Sequence, residues 1–289
     1  MRRMLVGLLA VAGVLAFTPV AGAGSSWVQV GADIRSGVSG VAVVERSDRR
    51  IDALVVRDNK KPGENRIARL TWRPGRAPAV EPLAWRGELP VDLESIDPVP
   101  GRPGEYVTLA SGGKGFHIKL ESGAVSVLGT FTLPAGQPGD DYESFALVAQ
   151  RDRTVALWAD RGQDARPSTL YSAEFDVDDL TFGPARSVTF RAPSPATHVR
   201  HISDLDVTAN GRLVVSSASD PGDDGPFASA VHVIGQLADG PEVTLLDKPR
   251  TMATYPGRKI EALTLLGRSG DSMLLGTDDE NLGGWVRLS

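Results

Sequence analysis

The chain has 289 residues, 41% of them hydrophobic and 23% charged, with 32 glycines, 20 prolines, no cysteine and a formal charge of -5 at pH 7. The acidic balance, with arginines scattered among carboxylates, excludes a nucleic-acid binder, which needs a basic face. The missing cysteines exclude a disulfide framework and a thiol nucleophile, so the fold must rest on its own core.

The first predicted element is a targeting segment. Arg2 and Arg3 precede an almost wholly apolar run from Leu5 to Phe17, and Ala21-Gly22-Ala23 follows it. This three-part pattern is that of an export signal cleaved after Ala23. The run is shorter than the roughly 20 residues of a membrane span, Pro19 interrupts its end, and no later stretch is long and apolar enough to cross a bilayer. The expectation is a leader over 1–23 and a secreted domain over 24–289, extracellular or periplasmic, with no membrane span.

Beyond the leader, short β-type runs alternate with Gly, Pro, Asp and Asn clusters, and no amphipathic helix of three turns is present. A lone strand is predicted at 27–34. Four sets of four follow: 38–44, 52–58, 66–72 and 79–85; 93–98, 106–111, 115–121 and 124–132; 142–149, 154–160, 168–175 and 185–191; 202–208, 212–219, 229–237 and 242–247. The fifth set has only three members, at 260–266, 272–278 and 284–288. Pairing the lone strand with this incomplete set closes a ring and leaves no long sheet edge open.

A repeated phrase supports the ring. Asp92-Leu-Glu94-Ser-Ile returns as Asp141-Tyr-Glu143-Ser-Phe, His201-Ile-Ser203-Asp-Leu and Lys259-Ile-Glu261-Ala-Leu, after a degenerate Gly37-Val-Ser39-Gly-Val. Equivalent positions fall 49 to 60 residues apart, slightly more than the roughly 40–50 of a propeller blade. The fold class expected is all-β: a five-bladed β-propeller with blades near 37–91, 92–140, 141–200, 201–258 and 259–289, the last completed by 27–34. A pair of β-sandwiches would also alternate strands, but explains neither the phrase nor the split last set.

This topology points to a site. The starts of the inner strands and the loops between second and third strands share one face, so polar groups converge at the channel mouth. The phrase brings Asp92, Glu94, Asp141, Glu143, His201, Ser203, Asp204, Lys259 and Glu261; the loops bring Arg57 to Lys60, Asp160-Arg161, Asp220 to Asp224 and Asp278 to Asn281. Period two puts Asp92 and Glu94 on one side of their strand, and likewise Asp141 and Glu143. Glutamates about 7 Å apart at an effective dielectric of about 20 repel by roughly 2.4 kcal/mol per pair. Ca2+ or another divalent cation held by Glu94, Glu143 and Glu261 would offset this. So would Lys259, Arg200 or backbone N–H groups, or raised pKa values. Expected ligand contacts are Asp92, Asp141, His201, Lys259, Asp278 and Asn281; Glu94, Glu143 and Asp204 are the candidates for a catalytic base. The plainer reading is that these polar groups bond the neighbouring blade's backbone and set blade spacing.

Other signals are weaker. His198 and His201 lack an H-E-x-x-H frame, and His117 and His232 fall in third strands. Asp220 to Gly225 resembles a calcium loop, but position twelve is Val231. A G-x-S-x-G elbow, a P-loop and a dinucleotide fingerprint are missing. The five tryptophans occupy β runs and are expected to pack between blades.

The acidic phrase and Gly276-Thr-Asp-Asp-Glu-Asn281 resemble secreted bacterial propellers of the esterase-like phytase type and those regulated by a quorum-sensing receptor; gluconolactonase-type propellers are more distantly similar. The lactonase resemblance implies a divalent cation on the axis and hydrolysis of lactones or phosphoesters, with Glu94, Glu143 and Glu261 as axial ligands. Two functions are therefore expected: a secreted propeller that binds a small molecule, glycan or protein at the channel mouth without chemistry, or a cation-dependent hydrolase of an ester, lactone or phosphoester.

Overall fold

The computed structural model describes residues 26–73, 75–267 and 270–289; the leader expected at 1–23 lies outside them. Strand β1 (Val28–Gln29) comes first. The first blade is β2 (Gly40–Ser47), β3 (Arg50–Val56), β4 (Ile67–Trp72) and β5 (Ala79–Pro82), and a short β6 (Ala84–Arg86) follows. The second blade is β7 (Leu93–Pro98), β8 (Glu105–Ala110), β9 (Lys114–Glu121) and β10 (Ala124–Thr132). The third is β11 (Tyr142–Gln150), β12 (Arg153–Asp160) and β13 (Ser168–Asp176), with β14 (Thr181–Phe182) and β15 (Arg186–Phe190) both paired to β13. The fourth is β16 (Val199–Val207), β17 (Arg212–Ser219), β18 (Ala228–Leu237) and β19 (Val243–Pro256). The fifth is β20 (Ile260–Leu265), β21 (Met273–Asp278) and β22 (Gly284–Leu288), completed by β1 in antiparallel register, Val28 opposite Val286. The protein is a five-bladed all-β propeller, and no described helix is long and apolar enough to cross a membrane.

Each blade is an antiparallel meander whose alternating apolar side chains reach the seams on either side. Five buried clusters fill the five seams. One joins Ala42, Leu54 and Ile67 of the first blade to Leu93, Tyr106 and Phe116 of the second. Another closes the ring by joining Val38, Val41 and Ala53 to Ala262, Leu274 and Val286. Short polar side chains add directional bonds across the seams. Ser95 Oγ accepts from Phe145 N at 2.9 Å, Asp97 accepts from Leu147 N at 2.6 Å, and Ser203 Oγ donates to the Ile260 carbonyl at 2.8 Å. The blade-spacing role therefore belongs to these serines and aspartates of the inner strands.

Three elements depart from expectation. The strand predicted at 27–34 pairs over only two residues, because the Asp33 carboxylate accepts from Arg35 N and Ser36 Oγ and turns the chain into a 3-10 turn at Ile34–Ser36. The strand predicted at 79–85 divides after Pro82, and β6 crosses to run parallel to β10 of the second blade. Outer strand β19 continues to Pro256, well past the expected 247, with register shifts that accommodate its length. Its edge position tolerates Pro249.

Candidate functional site

At the start of three inner strands the ladder carries a one-residue bulge. Leu93 and Ser95 face Ala110 and Leu109, leaving Glu94 unpaired; Glu143 and Glu261 are skipped in the same way. A bulge re-aims the extra side chain out of the sheet's alternation. All three glutamates line a pocket of about 250 Å³ with Asp58, Lys60, Asp92, Asp141, Arg161, Arg200, Lys259, Asp278 and Glu280. Every lining residue is ionisable: eight carboxyl groups face four cations.

The cations sit between carboxylates. Arg200 Nη1 lies 3.0 Å from Glu261 Oε1 and 3.4 Å from Glu143 Oε1, while its other end pairs with Asp220. Lys259 Nζ lies 3.1 Å from Glu261 and also bonds Glu280. Arg161 joins Asp141 and Glu143, both at 3.1 Å. Lys60 pairs with Asp92 at 3.0 Å. Glu94 has no hydrogen bond or ion pair to the chain among the described residues, although it is only 7% exposed.

The protonation pattern follows from that distribution. Burial pushes Glu94 well above the ordinary carboxyl range, and the charges of Glu143 and Glu261 push it further. Burial also raises Glu143, against the pull of Arg200 and Arg161. Glu261 is pushed by burial up to about 7 in spite of Lys259 and Arg200. Burial, then Glu261, lifts Asp58 to about 6. Arg200 and Lys259 are held above their usual values by the surrounding carboxylates despite burial, so both stay charged. Asp220 is half-buried, yet Arg200 and Lys259 hold it below its usual range. Four cations cannot balance eight carboxylates, and Asp58, Glu94 and Asp278 are left without an ion pair among the described residues; Glu94 is the buried one that accepts no hydrogen bond either.

The other expected site residues fall as follows. Asp92, Asp141, Lys259 and Asp278 line the pocket. His201 does not: its Nδ1 accepts from Ala192 N and its Nε2 donates to the Asp164 carbonyl, and burial keeps it neutral. Asp204 stands in the seam between the fourth and fifth blades, accepting from Leu263 N at 2.6 Å. Asn281 is exposed and donates to Asp224 at 3.0 Å. The fourth blade sends Arg200 into the channel in place of an acid. Its irregularity spans the residues between Arg200 and Asp204, which shifts the phase of the phrase there. Asp58, Lys60, Arg161 and Glu280 come from the second-to-third-strand loops already marked as polar.

This donor set does not fit a divalent cation on the axis. The guanidinium of Arg200 stands between Glu143 and Glu261, Lys259 holds the second side of Glu261, and no group of three or more His, Cys, Asp or Glu among the described residues could hold a metal ion. Calcium, magnesium or manganese is therefore expected to leave the thermal midpoint of chelated protein unchanged. A concentration-dependent rise abolished by Glu94→Gln would contradict this.

No family model matches the chain, and no curated protein matches it. Among solved structures it is similar to a protein described as a glycoside hydrolase, with TM-score 0.55, 8% identity and coverage of 89% of this chain and 61% of that one. A GH43 endo-arabinanase from Bacillus licheniformis gives TM-score 0.54 and 10% identity, covering 91% and 96%. An exo-1,5-alpha-L-arabinanase from a bovine ruminal metagenomic library gives 0.52 and 10%, covering 87% and 92%. At such identities the likeness is one of fold. It supports the propeller and lends no support to the esterase-like phytase, quorum-receptor-regulated or gluconolactonase-type families.

Proposed function

We propose that the channel mouth is the acid–base site of a hydrolase acting on a small hydroxyl-rich molecule or the end of a glycan. The observation that carries this reading is the split among the glutamates: Glu94 buried without a partner and pushed towards its protonated form, Glu143 clamped by Arg161 and Arg200. Burial raises both, while Arg161 and Arg200 pull Glu143 back towards its ionised form, which suits Glu94 to the acid's part and Glu143 to the base's. Glu94 gives its proton to the leaving oxygen as the carbon–oxygen bond breaks. Glu143 takes a proton from the attacking water, whose oxygen forms the new bond. Arg200 and Lys259 keep the neighbouring carboxylates in place. The fold shared with proteins described as glycoside hydrolases favours this bond class. The leader expected at 1–23 would place the reaction outside the cytoplasm.

Glu94→Gln is expected to cost about 10²–10⁴ in turnover with the fold intact, measured on aryl glycosides, aryl esters, lactones and phosphoesters. Activity should also fall as pH rises through the Glu94 titration, because the acid form is lost. Full activity in Glu94→Gln would remove the acid role of Glu94, and silence of the wild-type protein on every substrate class would remove the hydrolase reading. One observation favours a second reading, ligand binding without chemistry: no aromatic side chain lines the pocket, so a sugar ring has no stacking face there.

A further inference from the structure

We infer that the unit seated in this pocket carries a protonated amino group, held on the first-blade side of the channel by Asp58, Asp278 and Glu94. The inference rests on the reading of the pocket as a substrate site and names the substrate class. The pocket is polarised around the ring. Three of its cations, Arg161, Arg200 and Lys259, come from the third, fourth and fifth blades, and each already has two or more carboxylate partners. Lys60 is taken by Asp92. Where the second, third and fifth blades bring a glutamate, the first brings only Ser39, preceded by Gly37.

The three carboxyls bordering that gap have no cation partner among the described residues. Glu94 has no polar partner at all. Asp278 is 2% exposed and accepts one bond, from Glu280 N at 3.0 Å. Gly37 makes room for it: a Cβ there would lie 2.4 Å from the Asp278 carboxyl carbon. Elsewhere in the pocket the chain answers crowded carboxylates with its own cations. Here Lys60 and Lys259 act on Asp58 and Asp278 only from beyond ion-pair distance, and an ammonium with its three donors fits the remaining deficit. A volume of about 250 Å³ is below that of drug-sized ligand sites and suits one monosaccharide unit or a short amine. Asp58 titrates near 6 and is the charged member of the three at pH 7; a neutral sugar could bond these oxygens but not neutralise it.

The test is calorimetric titration of the mature protein with glucosamine, N-acetylglucosamine, glucose and 1,4-diaminobutane at pH 7 and low salt. Glucosamine should bind at least about tenfold more tightly than glucose or N-acetylglucosamine, equivalent to about 1.4 kcal/mol. Asp58→Asn should remove that preference. Binding of diaminobutane as tight as that of glucosamine would support the ammonium seat and identify a simple amine, not an amino sugar, as its source. Should Asp58→Asn fail to fold, wild-type pH dependence serves. Asp58 faces Glu261, Lys60, Asp92 and Glu280 and titrates near 6, so the preference should shrink from pH 7 to pH 5. Equal affinity for glucosamine and glucose, or a preference that survives Asp58→Asn or does not change with pH, overturns the inference. Glu94→Gln separates the two ideas: it should lose hydrolysis yet keep the amine preference through Asp58 and Asp278. Retained hydrolysis in that variant counts against the acid role alone.

Discussion

Arg200→Met is expected to destabilise the protein by about 3–5 kcal/mol at neutral pH, the cost of removing one partner from a buried charge cluster. The guanidinium bridges Glu143, Glu261 and Asp220 from three different blades, so its loss leaves three crowded carboxylates with less counter-charge. Methionine keeps much of the stem's packing and isolates the charge. The deficit should depend on pH in a definite sense. Without Arg200 the folded-state pKa values of Glu143 and Glu261 rise further above those of the unfolded chain. A carboxyl with a raised folded pKa costs least below its unfolded value, about 4.3, and most above its folded value. Glu261 already titrates near 7. Urea unfolding should therefore show the largest gap between variant and wild type above pH 7, narrowing as pH falls towards 4. A gap of the same size at pH 8 and pH 4 would mean that packing, not charge, is what Arg200 contributes.

Deletion of the closing strand, with the chain begun at Gly31, is expected to lower stability by about 3–5 kcal/mol and to promote association. Val28 and Val30 pack against the cluster that joins the fifth and first blades, and burying a valine contributes up to about 1.5–3 kcal/mol; partial exposure reduces each share. Trp27 meets Tyr255 edge-on at 5.7 Å and lies 5.9 Å from the Arg258 and Arg287 guanidinium groups. Removing the segment also bares the backbone edge of β22, an unpaired template for another chain. Thermal unfolding and size-exclusion chromatography would read both effects. A truncated protein that stays monomeric and loses less than about 1 kcal/mol would show that the fifth blade stands without its partner.

The propeller was legible because short β-type runs recur between glycine and aspartate turns, a phrase returns in each set and the last set lacks one strand: 93–98, 124–132, 212–219 and 284–288 coincide with observed strands. The crossing of β6 into the next blade was not legible, since three residues carry no register information of their own. Nor was the Asp33 turn, which depends on one carboxylate reaching two residues along the chain. At the site, the repeated glutamates identified which side chains share a position. Whether cations of the chain or a bound metal would balance them depends on how side chains from separate blades meet, and spacing is silent on that. The fourth blade shows the limit most clearly. Ser203 and Asp204 match the phrase in letters, yet its irregular start turns them into the seam and aims Arg200 at the axis.

The antiparallel pairing of Val28 with Val286 also fixes an order of events in time. The first strand of the propeller to leave a ribosome has its partner in the last strand of the propeller. Contacts that distant in sequence form slowly, because the whole intervening loop must first be gathered. The ring therefore locks only after the entire domain has been delivered. Until then the N-terminal segment remains an unattached strand, open to proteases and to any factor that escorts the chain.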